Sequence, residues 1–181
     1  ARRCADVLAP GAFAAFCLTE AGAGSDVAAL RTTAVLDGDE YVINGTKSFI
    51  TNGSIASLYV VFAKTDPAAG ARGITGFLVD GSAPGLSAGA KEHKMGFRLS
   101  DTCEVVFDNV RVPREAVIGE VGGGMAVALG ALNLSRAFIS TLAVGIMQRA
   151  LDEAVAYARE RRQFGRPIIE FEMVQAMLAD M

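Results

Sequence analysis

Histidine and paired cysteine are what this chain of 181 residues most lacks, and their scarcity removes whole classes of chemistry. The one histidine, His93, sits between Lys91, Glu92 and Lys94 and reads as a solvated loop residue without a catalytic role. Cys4, Cys17 and Cys103 stand far apart, with none of the spacing of metal ligands, so no metal site is expected. An odd, scattered set also excludes a disulfide framework and fits buried thiols in a reducing compartment. Basic clusters are missing beyond Arg159, Arg161 and Arg162, and the net charge is −3, which argues against a nucleic-acid surface. Partners are then small molecules or other protein chains. The longest strongly apolar stretch, Ala137 to Met147, is interrupted by Ser140, Thr141 and Gly145 and falls far short of a bilayer span, so no membrane insertion is expected. The start, Ala1-Arg2-Arg3-Cys4-Ala5-Asp6, has no initiator methionine and no signal-peptide core, so no address is legible and the true N-terminus is expected upstream. Neither an internal repeat nor a low-complexity segment is evident.

What is present is apolar: 51% of the residues, enough to bury a core in one or two domains. Two periods divide it. From Arg31 to Val117 short β segments alternate with turn signals. Thr32–Leu36, Asp37-Gly38-Asp39 and Glu40–Ile43 form a hairpin, and Asn44-Gly45 starts a further turn. Strands follow at Lys47–Thr51, Leu58–Ala63, Gly73–Val79 and Thr102–Phe107, with a turn at Asn52-Gly53. Closely spaced strands without intervening helices indicate an antiparallel barrel or sandwich. After Gly119 the period becomes helical. A long helix is expected from about Arg136 to Arg162, with Leu142, Ile146, Ala150, Ala154 and Ala158 on one apolar face. Gly165-Arg166-Pro167 ends it, and Phe171–Leu178 starts another whose pattern is still open at Met181, so covering partners are implied.

The most informative stretch is Phe16-Cys17-Leu18-Thr19-Glu20-Ala21-Gly22-Ala23-Gly24-Ser25-Asp26, a strand-like run breaking into a turn with alternating glycines between hydroxyls. Gly22 and Gly24 permit backbone conformations closed to other residues and close ligand approach, which suits a phosphate-bearing cofactor; an ordinary strand-to-loop turn is the competing reading. The third glycine of a Rossmann fingerprint is missing and a hairpin follows, so a nicotinamide fold is rejected. Gly122-Gly123-Gly124 lacks the Lys and hydroxyl of a phosphate loop and reads as a flexible turn into a helix over Met125–Leu132. In Phe49-Ile50-Thr51-Asn52-Gly53, alternation puts Phe49 and Thr51 on one strand face, where a ring and a hydroxyl could flank a flat heteroaromatic ligand. Taken alone, the segment reads better as a half-buried strand entering an Asn-Gly turn. Glu160-Arg161-Arg162-Gln163-Phe164-Gly165 sits at a helix C-terminus, where the dipole accounts for the arginines but not for Phe164.

Taken together and in order, these segments closely resemble the acyl-CoA dehydrogenase family of flavoenzymes. The matching residues are Leu18–Asp26, Ile43–Lys47, Phe49–Gly53, Met95–Thr102, Val110–Pro113 and Tyr157–Gly165. The resemblance implies an α+β fold: an antiparallel β-barrel or orthogonal sandwich that binds FAD over residues 1–119, then helices of an up-down bundle over 120–181, with the N-terminal helical domain and the rest of the bundle absent. It implies FAD as cofactor. Leu18 and Thr19 would contact the flavin edge. Gly24 and Ser25 would hold the pyrophosphate. Phe49, where many relatives have Trp, would pack on the isoalloxazine, and Thr51 would bond its polar edge. Arg161, Gln163 and Phe164 would reach the FAD of a neighbouring subunit, which implies a homodimer or tetramer.

The implied reaction removes an acyl-CoA α-proton with a carboxylate while the β-hydrogen leaves as hydride to the flavin, giving a trans-2-enoyl-CoA. Most relatives supply the base from a C-terminal part absent here, and a minority place it at the position of Ser135, where serine cannot serve; the chain is expected to lack its base. Arg136 and Ser25 would lie near substrate, Ser100 would meet the CoA moiety, and Asn133 stands where many relatives have an acid. Glu20, although beside the cofactor motif, reads as structural. Electron transfer flavoprotein is the implied electron acceptor, and the implied location is the cytoplasm of a bacterium or the matrix of a mitochondrion. Acyl-CoA oxidases, nitroalkane oxidases and flavin-dependent monooxygenases share the scaffold, and a flavin-binding or oligomerising module without turnover is the reading from another class. Acyl chain length is not legible.

Overall fold

The computed structural model describes residues 11–181, which form two compact units divided between Gly130 and Ala131. Cys4 lies outside the described residues. The first unit is built on one sheet. Its strands are β1 (Phe13–Cys17), β2 (Thr33–Asp37), β3 (Glu40–Thr51), β4 (Ala56–Lys64), β5 (Ile74–Asp80), β6 (Leu86–Lys91), β7 (Thr102–Pro113) and β8 (Val117–Ile118). They run β6-β7-β3-β2-β4-β5-β8, with β1 added on β4. Most neighbours are antiparallel, as the turn signals require, but β1 and the start of β2 both lie parallel to β4. The sheet is therefore mixed, a departure from the purely antiparallel reading. β4 is buried along most of its length because it takes β1, β2 and β5 as neighbours, which its Leu-Tyr-Val-Val-Phe-Ala run anticipates.

The β2–β3 hairpin forms as read, with Asp37 opposite Glu40 across Gly38-Asp39. Asn44-Gly45 does not turn the chain: β3 continues through it. Two irregularities interrupt its pairing with β7. The register runs from Glu40↔Pro113 to Ile43↔Val110, slips by one over Gly45↔Phe107 to Lys47↔Val105, and is restored at Ile50↔Cys103. The first slip is an extra residue in β7, where Asp108 and Asn109 are both exposed and Asn109 is left-handed at φ 53°. Its amide donates to Asn44 Oδ1 at 2.8 Å, so the bulge leaves no orphan donor. The second is an extra residue in β3, where Lys47 and Ser48 are both buried and Phe49 is left-handed at φ 58°.

Between the faces lie Cys17, Ile43, Ile50, Tyr59, Val61, Val79, Cys103, Val105 and Val110, all buried, with the Tyr41 and Phe77 rings edge-on at 5.1 Å. No buried side-chain nitrogen or oxygen lacks a partner among the described residues.

The helix α1 spans Gly124–Glu160 without a break. It merges the two helical segments expected at Met125–Leu132 and Arg136–Arg162, because residues 133–135 stay helical, Ser135 turning its hydroxyl back onto the Leu132 carbonyl at 3.0 Å. By length and composition it could cross a membrane, which the shorter run read from sequence could not. The turn before it is packed rather than loose: Gly122 N donates to Thr75 Oγ1 at 2.8 Å. α1 stops at Glu160, two residues before the expected end. Beyond it β9 (Arg162–Gln163) and β10 (Arg166–Pro167) pair across Phe164-Gly165, both at positive φ, the geometry of a type I′ turn. α2 (Glu172–Asp180) follows.

Gly45, at φ +150°, is a point where a side chain has no room. A Cβ there would lie 2.5 Å from Thr32 Oγ1 and 2.8 Å from its Cα. Gly45→Ala is expected to cost roughly 1–3 kcal/mol in urea unfolding through overpacking against Thr32; an unchanged midpoint would show that β2 and β3 can separate there freely.

Candidate functional site

β1 ends at Cys17 and the chain turns at once. Glu20 and Ala23 exchange backbone hydrogen bonds at 3.0 Å in both directions, which closes a tight loop with Ala23 buried and Gly22, Gly24 and Ser25 exposed. Neither Gly22 nor Gly24 is left-handed, so the conformational reason expected for them does not apply. What the glycines provide is space: a Cβ on either would meet nothing within 4 Å. The turn thus offers bare backbone beside the Ser25 hydroxyl, which a phosphate group can approach closely.

The strand end that carries Phe49 and Thr51 lies against this turn. Ser48 N donates to Thr19 O at 2.9 Å, so the residue before Phe49 is bonded to the half-buried Thr19. Phe49 and Thr51 both face solvent on either side of buried Ile50, as alternation requires. Phe49 is 61% exposed and held in a backbone region that aromatic residues rarely occupy. Two segments distant in sequence are therefore bonded together, one carrying exposed backbone beside a hydroxyl and the other an exposed ring. These residues fit a nucleotide-linked flavin.

Beneath the turn lies a buried ion pair. The Lys47 side chain is 0% exposed and its ammonium donates to Glu20 Oε1 at 2.9 Å and to Leu18 O at 3.0 Å. Glu20 Oε1 also accepts from Thr32 N (3.0 Å) and Thr32 Oγ1 (2.5 Å), and Oε2 from Arg31 N (2.6 Å). Burial alone would raise the Glu20 pKa, but the donors from Thr32, Lys47 and Arg31 outweigh it and hold the carboxyl below its ordinary value of 4.5. Burial pulls the Lys47 ammonium down, with Glu20 only partly opposing. Beside them the Cys17 thiol is pushed up to about 12 by burial, which keeps it protonated and unreactive. The structural reading of Glu20 agrees with this geometry. Lys47 and Thr32 were not singled out from sequence, because in the strand as read Lys47 shares a face with Phe49 and Thr51, and only the bulge turns it inward.

The other expected positions are placed as follows. Ser100 is half-buried in the 92–101 loop, where its carbonyl accepts from Lys94 Nζ at 2.6 Å, and Lys94 also donates to Thr102 Oγ1 at 2.9 Å. Asp101 receives Ser54 N and Oγ at 2.9 Å and Lys91 at 3.0 Å, bonds that lower its pKa, Ser54 N chief among them. His93 is exposed, and no cluster of metal-ligating side chains occurs among the described residues. In the second unit, Arg136 pairs with Asn133, and Ser135 Oγ donates back to Leu132 O at 3.0 Å. Arg161 N makes the last helical bond to Tyr157 O at 2.9 Å, and Gln163 and Phe164 belong to the β9–β10 turn, with the Phe164 ring 94% exposed.

Removing one member of the buried pair strands the other. Lys47→Met is expected to lower stability by roughly 3–5 kcal/mol in urea unfolding. Because the Glu20 pKa is lowered on folding, its stabilisation is complete above the ordinary value of 4.5 and is lost as pH falls from there through the lowered value. Glu20→Gln is expected to start less stable at neutral pH and to show a shallower loss in that acid window, while Asp101 keeps part of the slope. Parallel acid-unfolding curves for the two proteins would contradict this.

Comparison with known proteins agrees with the geometry. Residues 15–110 match the family model "Acyl-CoA dehydrogenase, middle domain" and residues 122–181 match "Acyl-CoA dehydrogenase, C-terminal domain". The chain is 50% identical over 167 residues to cyclohex-1-ene-1-carbonyl-CoA dehydrogenase of Syntrophus aciditrophicus, covering 92% of this chain and 40% of that protein. It is 48% identical over 167 residues to mitochondrial isovaleryl-CoA dehydrogenase of Oryza sativa, with 92% and 41% covered. Butyryl-CoA dehydrogenase of Megasphaera elsdenii has a solved structure that superposes with a TM-score of 0.90 at 43% identity, over 93% of this chain and 44% of that one. A structure described as electron transferring flavoprotein of Acidaminococcus fermentans superposes with a TM-score of 0.89 at 46% identity, over 93% and 44%. The chain spans less than half the length of these relatives. With family models matching both of its units and relatives at about half identity along nearly all of it, this chain belongs to the acyl-CoA dehydrogenase family.

Proposed function

We propose that this chain carries the flavin site of an FAD-dependent enzyme that converts an acyl-CoA thioester to a trans-2-enoyl-CoA. The observation that carries the reading is the 2.9 Å bond from Ser48 N to Thr19 O, which joins the exposed Gly22–Ser25 turn to the exposed Phe49 and Thr51. FAD, when bound, accepts the hydride. The chain's own residues bind and orient it. The Gly24 backbone and Ser25 hydroxyl hold the pyrophosphate, Leu18 and Thr19 line the flavin edge, Phe49 covers a ring face, and Thr51 bonds the polar edge. Phenylalanine lacks an indole N–H donor, so Phe49 supplies contact area only. Residues 1–119 form the flavin-binding domain in this reading and 120–181 the start of a helical domain.

Arg161, Gln163 and Phe164 serve the FAD of a second subunit, which makes the assembly a homodimer or a tetramer. A ring 94% in water on a short turn supports that role, since only an outside surface would cover it. The apolar surface of α1 is assigned to helices of the same domain rather than to a bilayer, because the C-terminal domain match runs through it. Ser25, Ser100 and Arg136 are assigned to the acyl-CoA. An α-proton next to a thioester needs a desolvated carboxylate, and Ser135, an ordinary hydroxyl bonded to Leu132 O, cannot take it. The base therefore comes from outside these 181 residues. Electron transfer flavoprotein is the proposed acceptor, and the cytoplasm or the mitochondrial matrix the proposed location, according to source.

The test is an absorbance spectrum of the purified chain after incubation with FAD and gel filtration. A retained flavin band that no acyl-CoA bleaches is expected, and bleaching at a family-like rate would show that the chain has its own base. Ser25→Ala is expected to weaken FAD binding about tenfold, the loss of one hydrogen bond to a charged group. Arg161→Ala is expected to weaken it only in oligomeric samples, and unchanged retention there would remove Arg161 from the site.

A further inference from the structure

The loop over residues 21–30 starts and ends on the same carboxylate. Glu20 precedes it, and the Glu20 oxygens take the amides of Arg31 and Thr32 and the Thr32 hydroxyl where the chain returns. Within the loop the backbone bonds are short-range, Glu20 with Ala23, Ala29 N to Asp26 O and Leu30 N to Val27 O. None of them fixes the loop's direction relative to β3. The loop also rests on residues 67–73 and buries Ala23 and Leu30, but its bonds toward β3 lie at its mouth, where Lys47 Nζ bonds Glu20 Oε1 and Leu18 O and the next residue, Ser48, bonds Thr19 O. The bulge in β3 makes this possible, because it turns two successive residues inward immediately before Phe49.

We propose that the Lys47–Glu20–Thr32 cluster is a positioning device: it fixes the Gly22–Ser25 turn relative to the Phe49 platform, and so sets FAD affinity without touching FAD. This rests on the flavin reading above. A buried ion pair is a poor device for stability alone, since apolar side chains of equal volume do as well or better. It differs from an apolar pair in direction. A carboxylate offers several acceptor sites in one plane and an ammonium three donors, and here they are spent on groups from three separate segments: Leu18–Glu20, Arg31–Thr32 and Lys47. A loop held in its binding shape before the ligand arrives loses less ordering entropy on binding, which appears as affinity.

The double variant Lys47→Met/Glu20→Gln tests this, because it removes the staple without leaving a charge stranded in the core; Thr32→Val is the graded intermediate. Hydrogen exchange is read on the chain without ligand, and FAD dissociation constants by flavin fluorescence. Expected are exchange at least tenfold faster over residues 21–32 with β5 unchanged, and FAD binding at least tenfold weaker, with Thr32→Val between native and double variant. A purely structural cluster would give exchange raised uniformly across the sheet, a lower melting temperature and native FAD affinity in the folded protein; that result overturns the proposal. So does a double variant native in both readouts. A native chain that holds no FAD overturns the flavin reading and this proposal together, and the native control tells that outcome from failure of the staple alone.

Discussion

The fold of the first unit hangs on a charge that water does not reach. Lys47 is sealed inside the sheet, and an isolated ammonium there would be intolerable, so the chain must bring it a carboxylate. Glu20 answers, and in doing so commits the surrounding backbone: Arg31 and Thr32 have to return to it, Leu18 has to offer its carbonyl, and Gly45 has to stay bare so that Thr32 can come close. Each is a condition on a different part of the chain, and all are met by one arrangement. That is how a small polar cluster selects a single geometry among the many that would bury the same apolar residues.

The surface proposed to face the flavin inherits this selection. Ser25 and Phe49 belong to segments far apart in sequence, and neither is buried enough to be placed by packing. Their relation comes from the layer below, through the bonds of residues 47 and 48 to residues 18–20. Rigid support under exposed recognition groups is the usual division between scaffold and loop. In the second unit the division is less complete. Leu134, Phe138, Ile139, Leu142, Ile146 and Met147 stand in solvent along α1, so the helix is stable in register but not yet covered.

Much of this was legible in the residues. The Asp37-Gly38-Asp39 signal fixed the first hairpin, and the change from period two to period 3.6 after Gly119 separated sheet from helix. The motif segments named the family that the comparisons identify. Three features escaped for local reasons. Asn44-Gly45 has the composition of a turn, yet Gly45 serves close packing on Thr32 within a continuous strand. Gly22 and Gly24 are credited with conformations closed to other residues as well as with close approach, and only the room for approach is used. The helix was ended by reading arginines and a Gly-Arg-Pro triplet as one terminus, whereas Arg162 to Pro167 pair as a hairpin of their own. At Gly45 the residue type was right for a signal whose outcome depended on a partner distant in sequence, Thr32. The Lys47–Glu20 contact, 27 positions apart, is of the same kind.

The two bulges between β3 and β7 carry a consequence for how this sequence can change. One adds a residue to β7 at Asp108-Asn109, the other adds one to β3 at Lys47-Ser48-Phe49, and between them they cancel. Loss of one residue at either bulge would remove that bulge alone and keep the flanking pairs, Ile43 with Val110 and Gly45 with Phe107 at the one, Lys47 with Val105 and Ile50 with Cys103 at the other. Each bulge can therefore be shed without the other, and what the one in β3 keeps for the molecule is local: two successive side chains, Lys47 and Ser48, turned inward, and Phe49 held out at positive φ.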